Sequence, residues 1–102
     1  MKYHAIRTTV DGITFASKKE AARYQELVLL EIAQEVDIMA LQPKYTLEVN
    51  GTVICKYIGD FLYYDHDKKE VILEDVKGVK TPVYKLKKKL MKAIHGIEIF
   101  ET

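Results

Sequence analysis

Four residues carry the chemistry open to this sequence: Asp60, Asp75, Lys77 and Glu20. Asp75 and Lys77 stand two apart in EVILEDVK (70–77), which reads as a strand. Alternation then puts Val71, Leu73, Asp75 and Lys77 on one face and Ile72, Glu74 and Val76 on the other. An unpaired charge is costly to bury, so the two charges need partners, and a plain ion pair at a strand end would account for both. Asp60, on the preceding strand, shares a face with Ile54, Ile58 and Leu62, an unfavourable place for an aspartate. Gly59 before it allows a bulge or a close backbone approach. Antiparallel neighbours bring Asp60 near Asp75, and two adjacent carboxylates repel unless a cation or proton separates them. Glu20 stands three residues after Ser17 in capping-box spacing, and it also heads the stripe of the first helix that faces the sheet. Cap and ligand readings both stand for it. Three carboxylates and a lysine suit Mg²⁺, with Mn²⁺ as its substitute, an ion that stabilises charge on phosphate oxygens. Lys77 would orient the attacking water or stabilise the charge that develops. The reaction class this set suggests is phosphodiester hydrolysis.

The elements that must position these residues are well punctuated. Asp11-Gly12 separates the short alternating runs 7–10 and 13–15, a hairpin signal. Ser17 opens a helix to about Gln34, with Tyr24, Leu27, Val28 and Glu31 on one stripe and Leu30 and Ile32 widening it. The segment 37–49, β-leaning after Pro43, then reaches Asn50-Gly51, a second turn of the same kind, and 52–64 reads as one long strand. After the polar loop 65–69 comes the strand 70–77, completing an antiparallel meander. Asp65-His66-Asp67 reads as a polar turn and not as a metal motif. Thr81-Pro82 starts a second helix whose stripe is Val83, Leu86, Leu90 and Ile94, with Tyr84 expected to pack, and His95-Gly96 closes it. A last short strand, 97–101, follows this crossover and can pair in parallel. The order after the hairpin is α, β, β, β, α, β: an α/β fold with a mixed sheet.

Length and charge bound the function. The chain has 102 residues, 48% of them hydrophobic and 30% charged, which suits one ordinary globular domain. Its apolar runs are too short to cross a bilayer, no signal peptide is evident, and the lone Cys55 builds neither a disulfide framework nor a zinc site. These features lead us to expect a cytoplasmic protein. A net charge of +1 argues against binding to nucleic acid by bulk charge alone, yet the charges are sorted. Six acids lie between Asp60 and Asp75, whereas seven lysines and no acid lie between Val76 and Lys92. Lys80, Lys85, Lys88, Lys89 and Lys92 are therefore candidates for phosphate contacts, although a solvated face would show the same pattern. The first hairpin, with Lys2, Tyr3, His4 and Arg7, is a candidate arm over a substrate, with an edge hairpin or dimer contact as the plainer reading.

Asp60 followed by Asp75-Val76-Lys77 on the next strand, in αβββαβ order, resembles the PD-(D/E)XK nuclease superfamily. FASKKEAARYQELVLLEIA, LQPKY and EDVKGVKTPVYKLKKKLM resemble a small phage and prophage nuclease-like family within it. The resemblance covers nearly the whole chain. It implies a restriction-endonuclease-like core at 17–102 behind a hairpin arm at 1–16. It further implies that Asp60 and Asp75 bind Mg²⁺, that Lys77 acts at the attacking water, and that Glu20 is the helix-one acid of many members. Glu74 would replace Asp75 if a bulge shifted the strand, and Gln42 matches a polar residue sometimes found near such sites. The function this implies is a metal-dependent DNA endonuclease, structure-selective for branched DNA such as a Holliday junction and acting as a homodimer in a bacterial host cell. The alternative is an inactive nucleic-acid-binding or inhibitory module that keeps the fold.

Overall fold

Two Asx-Gly turns fix the hairpins. Asp11 and Gly12 take φ of 53° and 76°, and Asn50 and Gly51 take 49° and 81°, the left-handed pair that a two-residue β-hairpin requires. The computed structural model describes residues 6–102. Lys2, Tyr3 and His4 of the expected arm lie outside the described residues, and Arg7 is exposed just before the first strand. That strand, β1 (Thr8–Val10), pairs antiparallel with β2 (Ile13–Phe15). The hairpin is held to the first helix, α1 (Lys18–Ile32), where Phe15 packs on Tyr24 with ring centroids 5.1 Å apart. The Tyr24 hydroxyl also donates to Asp11 at 3.2 Å. Ser17 caps α1 as its spacing suggests, its Oγ accepting from the Glu20 amide at 3.1 Å. The helix stops at Ile32, short of the expected Gln34, and Ile32 is exposed instead of widening the buried stripe.

The segments 37–49 and 52–64, each read as one element, are corrected to two strands apiece. They form β3 (Val36–Leu41), β4 (Lys44–Val49), β5 (Thr52–Ile58) and β6 (Phe61–Asp65). The break has a local cause. Gln42 has a φ of 52°, Pro43 has no N–H to give to a ladder, and the paired chain breaks opposite them at Gly59-Asp60. The Gln42 amide donates to the Asp60 carbonyl and the Gly59 amide to the Pro43 carbonyl, both at 2.9 Å, so the two strand pairs stay joined across the bend. Gly59 suits the close approach there, because a Cβ at this position would lie 2.7 Å from Leu73 Cδ1 and the leucine would have to shift.

Beyond the bend, β4 and β5 form a two-stranded ribbon, while β3 and β6 belong to the main sheet. That sheet has the order β3-β6-β7-β8, with β7 at Glu70–Asp75 and β8 at Phe100–Glu101. The first pairings are antiparallel, and β7 with β8 is parallel, as the helical crossover between them leads one to expect. The chain is thus a mixed α/β fold. The strand expected over 70–77 ends at Asp75, and the Lys77 amide instead donates to the Thr102 carbonyl at 3.0 Å.

Each face of β7 has its own core. Ile72 and Val76 join Phe15, Tyr24, Leu27, Phe61 and Tyr63 under α1. Leu73 joins Leu47, Tyr57, Tyr84 and Met91 under the ribbon and the second helix. This helix, α2 (Pro82–Leu90), starts at Thr81, whose Oγ1 accepts from the Tyr84 amide at 3.1 Å, and continues through a π-helical turn, Met91–His95, to Gly96. Its buried face differs from the expected stripe. Tyr84 and Met91 are buried and Leu90 and Ile94 partly so, whereas Val83 and Leu86 are exposed. The polar anchors of Tyr84, described below, set the rotation of the helix and turn Val83 outward.

Candidate functional site

The end of β7 sorts its two acids to opposite faces. Glu74 points to α1, where the Arg23 guanidinium grips it through Nε–Oε2 at 2.8 Å and Nη2–Oε1 at 2.9 Å. The Tyr63 hydroxyl donates to Oε1 at 2.8 Å and the Thr102 hydroxyl to Oε2 at 3.0 Å. Four donors fill the lone-pair sites of a carboxylate, so the fully buried Glu74 is a structural anion. The Glu74 pairing holds the Arg23 charge more firmly than usual, and burial together with that carboxylate pushes the Tyr63 hydroxyl up. The β6–β7 register runs without a bulge to the Phe61–Glu74 pair, so the strand shift that would exchange Glu74 for Asp75 does not occur.

Asp75, 2% exposed, takes the other face. The Tyr57 hydroxyl donates to its Oδ2 at 2.6 Å, and Lys77 Nζ lies 3.2 Å from its Oδ1. Lys77 also stands over the Tyr84 ring, 3.8 Å from the centroid, a cation–π contact that fixes its ammonium from a second side. Asp60 is half-buried in the bend between β5 and β6, not within an apolar strand row as expected, and Ile54 and Ile58 are exposed. Its Oδ2 accepts the Val76 amide at 2.6 Å, and its own amide donates to the Glu74 carbonyl at 3.0 Å. One register step beyond Phe61–Glu74 brings Asp60 opposite Asp75. Burial, followed by the bond to Asp75 and the charges of Asp75 and Asp60, raises the Tyr57 hydroxyl. Tyr84 is raised by burial, by its bond to Glu101, and by the same two aspartates.

Glu20 is buried in the first turn of α1, on the helix that covers the Glu74 face, and its Oε2 accepts the Ala16 amide at 3.3 Å. The same helix turn reaches the DxK segment through Lys19, whose Nζ donates to the Lys77 carbonyl at 3.0 Å. Gln42 acts through its backbone at the bend, with its side chain exposed. The geometry therefore brings Asp60, Asp75 and Lys77 together around Val76, with the α1 N-terminus docked behind them. Among the described residues, no three or more His, Cys, Asp or Glu side chains form a group with metal-holding geometry. The hard oxygen donors of Asp60, in the bend before β6, and of Asp75, at the end of β7, are of the kind that Mg²⁺ takes.

Five of the six cationic residues singled out from the sequence share one groove. Lys80, Lys85, Lys88, Lys89 and Lys92 line a cavity of about 430 Å³ with Glu98 and Glu101, while Arg7 is remote in sequence on the hairpin side. Glu101 Oε1 holds Lys80 at 3.2 Å and Lys88 at 3.1 Å, and its Oε2 accepts the Tyr84 hydroxyl at 2.7 Å. The Tyr84 bond, then Lys88 and Lys80, hold the Glu101 carboxyl down to about 2 against the opposing effect of burial. Lys92 pairs with Glu98 at 3.1 Å. The loop 65–69 is a turn, as expected, with Asp65 Oδ1 accepting the Asp67 and Lys68 amides.

Tyr57, Arg23 and Glu101 escaped the sequence reading. Arg23 carried a signal, standing three residues after Glu20 at the margin of the buried stripe. Tyr57 and Glu101 carried none, since a bend separates one from the main sheet and a crossover brings in the other.

Residues 1–96 match the family described as "Protein of unknown function (DUF1064)". No curated protein and no solved structure matches the chain. Among the described residues no helix is long and apolar enough to cross a membrane.

Proposed function

Starting from a chain that belongs to the DUF1064 family, we propose that it is a metal-dependent DNA endonuclease with the restriction-endonuclease-like core that its sequence resembles. One observation carries the reading. Lys77 Nζ sits 3.2 Å from Asp75, and the Asp60 carboxylate caps the amide of the residue between them. A structural ion pair needs no second aspartate on that amide. In this reading Asp60 and Asp75 would hold the cation, and Glu20, buried on the helix docked on Lys77, would be the helix-one acid that the resemblance implies. A divalent ion bound there supplies Lewis-acid stabilisation of charge on the phosphate oxygens. Lys77, steered by Asp75 and the Tyr84 ring, presents its ammonium to the attacking water and to the charge that develops on phosphorus. Tyr57 keeps the Asp75 carboxylate oriented through its hydroxyl. The groove of lysines on α2 supplies phosphate contacts that set the register without reading sequence.

One such site cuts one strand, so paired cuts across a duplex or junction need two copies, and a two-fold homodimer is the simplest arrangement. Branched DNA is the substrate we favour. A nicking assay on branched and linear DNA in Mg²⁺, with a chelator control, tests the proposal, and absence of cleavage of every form in Mg²⁺ and in Mn²⁺ defeats it.

A second reading is favoured by a specific feature: both Asp75 oxygens are engaged by Tyr57 and Lys77, and the described residues contain no metal-holding group. On that reading the chain binds nucleic acid without cutting it. It predicts chelator-insensitive binding and no nicked product.

A further inference from the structure

A second cleft lies against the site, on the side of α2 away from the groove that holds Glu98 and Glu101. It has a volume of about 290 Å³. Lys77 stands at one wall, and Lys56 of β5 and Lys87 of α2 supply two further ammonium groups. Its apolar walls come from Ile58, Val79 and Val83, which are 54%, 53% and 62% exposed. Among the described residues no acid lines it, in contrast to the other groove, where Glu101 and Glu98 already engage Lys80, Lys88 and Lys92. Among the described residues neither Lys56 nor Lys87 takes part in an ion pair.

Two cations outside any ion pair among the described residues, beside Lys77, which Asp75 already engages at 3.2 Å, and around a patch of exposed aliphatic side chains, call for a ligand that is anionic at one end and flat and apolar at the other. The volume is close to the lower end of small-ligand pockets, enough for one nucleotide and too little for a base pair. A duplex presents its phosphates but keeps its bases stacked inside, so it can satisfy the lysines and not the valines. An unpaired nucleotide satisfies both, because its exposed base face can cover the aliphatic side chains and remove them from water without regard to sequence.

We propose that this cleft binds a single unpaired nucleotide next to the phosphate at Lys77, with Lys56 and Lys87 on flanking phosphates and the base against Val79 and Val83. The proposal rests on the nuclease reading for the position of the substrate and explains how a chain of this size selects branched DNA.

Binding measured in a chelator separates it from that reading, since no cleavage is needed for the readout. The probes are a short single-stranded oligonucleotide, the duplex of the same sequence, and a four-way junction, each followed by fluorescence anisotropy. Val79→Ser with Val83→Ser, both at exposed positions, should weaken single-strand binding about fivefold and leave duplex binding within about twofold. Lys56→Ala should weaken the single strand and flatten its salt dependence by about one phosphate contact. Equal loss on duplex and single strand in the valine variant, or no loss on either, would overturn the proposal. So would competition by a polyglutamate peptide as effective as that by the oligonucleotide, which would assign the cleft to an acidic polypeptide.

Discussion

Arg23 and Glu74 form a two-pronged ion pair, with bonds of 2.8 and 2.9 Å, between the first helix and the third strand of the main sheet. The pair occupies the acid that precedes Asp75 in sequence and leaves Asp75 alone to face Lys77. Removing one partner of a buried pair strands the other charge. Arg23→Ala should therefore destabilise the chain by about 3–5 kcal/mol, read as a lowered denaturant midpoint with an unchanged slope. An unchanged midpoint would mean that Glu74 is held by Tyr63 and Thr102 alone.

Lys77→Ala removes the ammonium that Asp75 and Tyr84 aim. Cleavage should fall by at least about 10²-fold, the usual scale for losing one electrostatic contact to the transition state. DNA affinity should stay within about twofold, because the change acts on the transition state more than on the ground state. A gel-based rate and an anisotropy titration on the same variant check the two halves.

Asp60→Asn leaves an oxygen to accept the Val76 amide but withdraws the negative charge. The Mg²⁺ concentration for half-maximal cleavage should rise and the maximal rate should fall together. A variant that loses rate at an unchanged metal requirement would move Asp60 from ligand to scaffold.

The lysines on and beside α2 divide by their partners. Lys80 and Lys88 are tied to Glu101 and Lys92 to Glu98, which leaves Lys85 and Lys89 without such ties among the described residues in the same groove. Lys85→Ala with Lys89→Ala should weaken binding to every DNA form and reduce the slope of log affinity against log salt by about two. Loss confined to one sequence would contradict a backbone role.

Glu101 gives a pH signature. Its carboxyl is lowered from 4.5 to about 2 on folding, first by Tyr84 and then by Lys88 and Lys80. A depressed carboxyl stabilises the fold fully above its unfolded value and loses that contribution as pH falls toward the folded value. The thermal midpoint of the wild type should fall more steeply than that of Glu101→Gln between pH 4.5 and about 2. Parallel curves would show that the contact is screened.

Local chemistry made part of this legible from sequence. Ser17, Thr81-Pro82 and the two Asx-Gly turns act within a few residues of themselves, and each appears where its spacing places it. Strand alternation likewise separated Asp75 and Lys77 from Glu74 correctly, since period two survives any partner. What failed depends on distant partners. The bend at Gln42-Pro43 needs Gly59 opposite it, and nothing in either segment shows that the other will be there. The rotation of α2 follows from Tyr84 reaching Glu101 across a crossover, so Val83 and Leu86, apolar at helical spacing, still face solvent. Asp60 was recognisable as an acid out of place, but its bond to the Val76 amide belongs to the bend and could not be read before it.

The most direct test of the central claim is an anomalous difference map from a crystal soaked in Mn²⁺. The account predicts a peak between the Asp60 and Asp75 carboxylates, within coordination distance of both, which Asp60→Asn weakens. A map with no peak at these residues at saturating Mn²⁺, while DNA binding is intact, would contradict it and leave a nucleic-acid-binding protein in place of a nuclease.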